Sequence, residues 1–335
     1  MNTEAARLGE AEHDLRYRLY GRLWSCGESL DHLLPRGLGS PDCRYRVVVG
    51  AEPGSWRDSN QIYRSPIPDR EGNPRLKIWR DGELVRAFFS DAGAYHLEGP
   101  EIVCHPLPDA SRPQRDNLLL GAVLAFWMEL RGMATLHASA VAQGDRAVGF
   151  VSHSGGGKSS LAALLMSRGW RLLTDDVLPL RLAGAEVVGW PGYPMMRMWP
   201  EEARHFLGAT AGLHRVHPAT GKFRVPLSEG PPGEFQDRPT ELRRLYFPRW
   251  LEDAGEPASV RIEALSPREG LIELVRFSFA PLVVRALGLD GLRFAFLSEA
   301  ALRVPMRRLL YPRGLAHLPR VARAIERDLA ADPAG

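Results

Sequence analysis

Hydrophobic and polar positions change rhythm three times along the chain. Within residues 12–34, Leu15, Leu19, Leu23 and Trp24 recur at helical spacing, which predicts an amphipathic helix or helix pair. Two-residue alternation follows at 45–49, 75–80, 84–90, 94–97 and 102–105, as expected of strands with one buried face. Asp81-Gly82 predicts a hairpin turn, and the Pro- and Gly-rich stretch 51–74 predicts a loop. The densest apolar run, 118–128, predicts a buried helix over 117–131 that stops at Gly132.

From Ala134 the texture shifts again. ATLHASAVAQ and RAVGFVS read as two short β segments around Gly144-Asp145, and an apolar helix follows over 158–168 with Gly169 as its stop. Residues 171–174 read as a strand running into Asp175-Asp176. Strands are expected at 187–190, 243–247 and 259–264, and helices at 269–279 and 315–329; the arginines of 303–327 are expected to spread across a helical tail, mostly on a solvated face. The Pro/Gly-rich interval 208–240 predicts a loop or lid. The expected class is α/β, with an N-terminal α+β unit at 1–132, a candidate for acceptor recognition, and a second domain at 133–335.

Composition narrows the function classes. Of 335 residues, 44% are hydrophobic and 25% charged, which sets disordered and coiled-coil readings aside. A net charge of +3 lacks the concentrated basic footprint of a nucleic-acid binder. The longest apolar run falls short of the roughly 18 residues a membrane span requires. The N-terminus lacks the apolar core of a signal peptide. Cys26, Cys43 and Cys104 form no CxxC pair, so a zinc site or disulfide framework is not expected. Together these features predict a cytoplasmic protein with reduced thiols and no membrane or nucleic-acid partner.

The chemistry centres on Ser152-His153-Ser154-Gly155-Gly156-Gly157-Lys158-Ser159. Every specified position of the phosphate-binding pattern GxxxxGK[ST] is present except the first glycine, which is Ser152. Ser154 and the three glycines bring backbone N–H groups to phosphate oxygens, and the following helix adds its positive end through Ser159 and Ser160. Lys158 supplies a cation for the β- and γ-phosphates, and the Ser159 hydroxyl is the expected Mg2+ ligand. One helix downstream, Asp175 and Asp176 offer a metal-ordering carboxylate and a base for an acceptor hydroxyl; the residues themselves do not say which is which. Both reach one site only if the strand ends before them, because neighbours on a strand face opposite ways. Arg197 is a candidate for neutralising a phosphoryl group, and Lys222 and Arg224 follow a segment that could bring them to the site. By itself His137 reads as a core histidine.

The run Leu136-His137-Ala138-Ser139-Ala140, the glycine loop, and Arg168 through Asp176 (RGWRLLTDD) resemble the kinase core of the HPr kinase/phosphorylase family. The match is closest to HPr-kinase-related proteins of peptide-modification clusters, including lasso-peptide biosynthesis. It is specific over 134–200 and weaker in PMMRMWP, KFRVPL and LSPREGLIELV. The resemblance implies a P-loop fold shared with phosphoenolpyruvate carboxykinase. It also implies use of ATP and Mg2+, catalytic roles for Asp175, Asp176 and Lys158 with His137 supporting the aspartates, and Asp175 with Ser159 at the metal. It further implies a serine hydroxyl of a peptide or protein as acceptor, such as a ribosomal precursor peptide. The segment after the aspartates has no counterpart of the bifunctional enzyme's signature, and the N-terminal β unit differs from that enzyme's regulatory domain. Competing expectations are a kinase of a small hydroxylated metabolite, an ATPase or GTPase switch, and a nucleotide-binding scaffold without turnover. A homo-oligomer is left open.

Overall fold

The computed structural model describes residues 15–30, 33, 37–50, 56–216, 221–227, 233–251 and 260–331. Two compact units divide between Arg115 and Asp116, which places the stretch 116–132 with the second unit.

The first unit is an eight-stranded sheet of order β1-β2-β3-β8-β7-β6-β5-β4. Its strands are β1 (Leu15–Leu19), β2 (Arg22–Cys26), β3 (Cys43–Val47), β4 (Gln61–Arg64), β5 (Leu76–Asp81), β6 (Leu84–Phe89), β7 (Gly93–Glu98) and β8 (Glu101–Pro106). The last four form an antiparallel meander, with Asp81 facing Leu84 across the expected tight turn. The helix expected within 12–34 is instead the β1–β2 hairpin, turned at Tyr20-Gly21. Leu15 and Leu19 lie four residues apart, and four is also an even number. The same residues therefore fit a strand with Arg16 and Arg18 on its other face. Within the segment expected to be a loop, β4 adds an edge strand.

A long helix carries the chain on: α1 (Arg112–Leu118), one π turn (Leu119–Val123) and α2 (Leu124–Glu129), with Gly132 at φ +72 beyond its end. The second unit's sheet uses β9 (Ala134–Leu136), β10 (Ala138–Gln143), β11 (Arg146–Val151), then helix α3 (Lys158–Met166), then β12 (Arg171–Thr174), β13 (Leu178–Ala183) and β14 (Glu186–Gly189). A small sheet follows from β15 (Met195–Met198), helix α4 (Pro200–Leu207), β16 (His214–Arg215) and β17 (Phe223–Pro226), so the described part of the expected lid interval carries strands. The chain then supplies β18 (Thr240–Leu251), β19 (Arg261–Ala264), α5 (Pro267–Arg276), α6 (Pro281–Ala286), α7 (Asp290–Arg303), β20 (Met306–Pro312) and α8 (Leu318–Ala330). Part of the arginine-bearing segment expected to be helical is thus strand β20, which contains Arg307 and Arg308.

The large sheet runs β12-β10-β11-β18-β14-β13-β9, with β20 beside the carboxyl half of β18 and β19 beyond it. Alternate residues of its strands feed two cores. One face packs Ala147, Leu245 and Phe247 against Leu274 of α5 and Leu297 of α7. The other packs Val148, Phe150 and Tyr246 against Leu161 and Leu165 of α3, Val321 of α8 and Met196 of the small sheet. The result is mixed α/β layering in which β11, β12, β18 and β20 all point their carboxyl ends the same way.

Candidate active site

β11 delivers the chain into the glycine loop, and each glycine there has its own steric reason. Gly155 and Gly157 lie at φ +79 and +85, a region L side chains avoid. Gly156 does not need that freedom; a Cβ there would lie 2.1 Å from the Ser152 Oγ. Ser152 is fully buried, keeps negative φ and fills that space, so serine fits where the phosphate-loop pattern has glycine. Ser154 is exposed at the crest of the loop. Helix α3 then starts directly from Gly157, and its first N–H groups and positive end face the loop's mouth.

The Lys158 ammonium is buried and uses all three donors inward. It donates to the carbonyls of Ser152 and His153, both at 2.9 Å, and to His137 Nε2 at 3.0 Å. Burial lowers its pKa to about 8, against the pull of Asp176 and Asp175. Burial likewise holds His137 below the usual imidazole range, with Asp176 opposing and Lys158 reinforcing. Since Nε2 accepts from an ammonium, the neutral ring carries its proton on Nδ1. That N–H donates to the Asp176 carbonyl at 3.0 Å and lies 3.3 Å from its Oδ1. The ring sits where the chain bends between β9 and β10, and the His137 N–H is tied to the Phe277 carbonyl at 3.0 Å.

β12 ends at Thr174, as both aspartates require. Asp176 adopts φ +78, one of three non-glycine residues with positive φ among those described, and this turn brings both carboxylates to the same side. Their surroundings then separate them. Asp175 is buried and fully engaged: Ser139 Oγ donates to Oδ1 at 2.5 Å, Ser159 Oγ to the same oxygen at 2.9 Å, and the Arg197 N–H to Oδ2 at 2.8 Å. Asp176 pairs with the Arg197 guanidinium at 2.5 Å and retains partial exposure. Burial works to raise its pKa, but Arg197, His137, Lys158 and Lys222 prevail, and the carboxyl stays below its ordinary value.

Among the sequence candidates, His137, Lys158, Ser159, Asp175, Asp176 and Arg197 converge through these contacts. Ser160 turns its hydroxyl to Glu202, which also accepts from the Trp199 N–H and so ties α4 to the first turn of α3. Lys222 lies 5.5 Å from the centre of the half-exposed Trp199 ring, close enough to act on Lys158 and Asp176 electrostatically. Arg224 is buried on β17 and donates to the Val216 carbonyl at 3.0 Å, so it belongs to packing. Ser139, two residues after His137, had no role assigned from the sequence. Tyr193 was missed too; its hydroxyl stands 3.4 Å from Arg197, and nothing in the sequence marks it.

The arrangement is anion-seeking. Lys158, Arg197 and Lys222 outnumber the two carboxylates, and helix α3 adds its positive end. A hard cation also fits its donor set. The Ser159 hydroxyl can ligate it, and Asp175, joined to that hydroxyl, can order its waters. No cluster of three or more His, Cys, Asp or Glu among the described residues could hold a metal alone, so the fit is to a cation arriving with phosphate oxygens.

Among the described residues, no helix is long and apolar enough to cross a membrane. No known family profile matches the chain, and no curated protein matches it. Among solved structures, the HPr(Ser) kinase/phosphatase from Coxiella burnetii is similar at 16% identity and a TM-score of 0.30. The similarity covers 59% of this chain and 97% of that one. At that level the functional reading rests on the geometry of the site.

Proposed function

We propose that the chain is a cytoplasmic P-loop kinase that uses ATP and Mg2+ to phosphorylate a serine hydroxyl of a peptide or protein. One observation carries this reading. His137 bridges the loop lysine and a partly open carboxylate, Asp176, while the neighbouring Asp175 is engaged with Ser159. Together they supply a phosphate anchor, a metal-ordering group and a proton acceptor within one cluster. The peptide acceptor is supported by the sequence resemblance over 134–200.

When bound, Mg–ATP supplies the electrophilic γ-phosphorus and ADP as the leaving group. Lys158 exchanges loop carbonyls for phosphate oxygens, and the glycine-loop and α3 N–H groups hold the remaining charge. Ser159 and Asp175 would hold the cation and its waters. Arg197 offsets charge on the transferring group and keeps Asp176 ionised. Asp176 receives the acceptor's hydroxyl proton. A base of lowered pKa suits a loose phosphoryl transition state, in which that proton leaves late. His137, neutral and donating from Nδ1, fixes Asp176 relative to Lys158.

The test is transfer of labelled γ-phosphate to serine-containing peptides, run beside small alcohols and water. Labelled phosphoserine is expected, and Asp176→Asn is expected to lower turnover about 100-fold or more. Label appearing only in small alcohols or free phosphate would overturn the peptide-kinase reading.

A further inference from the structure

At the carboxyl edge of the large sheet, the order is β12, β10, β11, β18, β20. The carboxylates stand at the end of β12 and the glycine loop at the end of β11. On the far side of the loop, Trp250 and Tyr311, the penultimate residues of β18 and β20, face each other in register. The Tyr311 hydroxyl is packed so closely that a Cβ on Gly157 would lie 2.6 Å from it and 4.0 Å from the Trp250 indole nitrogen. Tyr311 and Trp250 share a hydrogen bond, and burial lifts the phenol to about 12, so it remains a neutral donor and acceptor. Trp250 is half-buried, and the exposed Arg313 sets its guanidinium 4.6 Å from the indole centre.

We propose that Trp250, Tyr311 and Arg313 form the nucleobase site, with the purine stacking on the Trp250 indole in the place Arg313 now covers. The inference rests on the phosphate-loop reading above and adds the location of the base. A triphosphate lying in the loop presents its γ end to Asp176 and Arg197, so its nucleoside end must leave toward β18 and β20. Ligands of open α/β sheets bind outside the carboxyl ends of the strands, which is where these three side chains sit. A planar cation already stacked on an indole shows that this face accepts a flat, electron-poor partner, and an aromatic base has the same shape. Trp199, another aromatic, lies with Lys222, which acts on Asp176, and so on the carboxylate side, where the acceptor must approach.

Calorimetric titration with Mg–ATP and with magnesium tripolyphosphate, which has no base, separates the two ideas. Wild-type protein is expected to bind ATP about tenfold tighter than tripolyphosphate, from the usual strength of base–aromatic stacking. Trp250→Leu should erase that margin and leave tripolyphosphate binding unchanged, while Trp250→Phe should retain most of it. A margin that survives Trp250→Leu, or that instead disappears in Trp199→Leu, would overturn the assignment. Failure of wild-type protein to bind tripolyphosphate, with ATP affinity indifferent to Lys158→Met, would overturn the phosphate loop and this site with it.

Discussion

The eight-stranded and nine-stranded sheets both belong to units that bury polar side chains in local pairs, such as Arg293 with Glu129 in the second, but the second also gathers a group of them around an opening. In the first unit, the buried arginines are distributed between its sheet and helix α1, each with a nearby partner. Arg86 stacks on Trp79 at 4.5 Å and Phe88 at 5.0 Å, and Arg115 pairs with Glu28 at 3.1 Å. In the second, one such group, Ser139, Ser152, Lys158 and Asp175, is buried at one edge of the sheet, beside the opening left by the glycine loop. Dispersed polar burial satisfies a fold; convergent polar burial around an opening holds groups in states that water would not favour, which marks chemistry. A lysine brought to about 8 belongs to the second kind.

The sharpest way to break this contrast is Lys158→Met. Turnover should fall about 1000-fold, the scale for losing a principal charge contact. The melting temperature should change little, because relief of a desolvated ammonium offsets the loss of its bonds to Ser152, His153 and His137. A large loss of stability would make Lys158 a structural residue like Arg115. Next comes Ile78→Ala in the first sheet, where Ile78 is fully buried. It should cost about 2–5 kcal/mol in denaturant unfolding while leaving the Mg–ATP dissociation constant of the folded protein unchanged. A shift in that constant would tie the two sheets together functionally. His137→Ala should lower kcat by about 10- to 100-fold with a small change in KM, as expected for a group that orients another. Unchanged turnover would return His137 to the core.

The smallest effect is on pH. Free Lys158 loses its proton near 8, whereas a bound triphosphate favours the charged form and raises that value. Binding above pH 8 should therefore take up a proton, and affinity should weaken as pH rises, by at most about tenfold per unit. Titrations in two buffers of different ionisation enthalpy measure the uptake directly. Proton release would contradict the sign.

How far the sequence revealed this site depended on local grammar. The glycine loop, α3 and the two aspartates were readable because each follows from short-range rules: glycine freedom, helix stop signals and strand alternation. The meander β5–β8 was readable for the same reason. The β1–β2 hairpin was not, because Leu15 and Leu19 satisfy two periods at once, and only pairing with Cys26 and Arg22 decides between them. β20 escaped notice because its identity as a strand comes from lying beside β18, a long-range fact. Tyr311 and Trp250 escaped with it. The division of labour between Asp175 and Asp176 needed Ser139, Ser159 and the Arg197 N–H, which meet Asp175 from three separate elements.

The contact between Ser152 and Gly156 has an evolutionary corollary. The two positions compete for one small volume, so neither can drift alone. Alanine at 156 would pry the loop apart while serine holds the niche, yet glycine at 152 would vacate room for it. Lineages carrying this loop should vary at the two sites as a correlated couple, and Ser152→Gly should rescue Gly156→Ala when the two are combined.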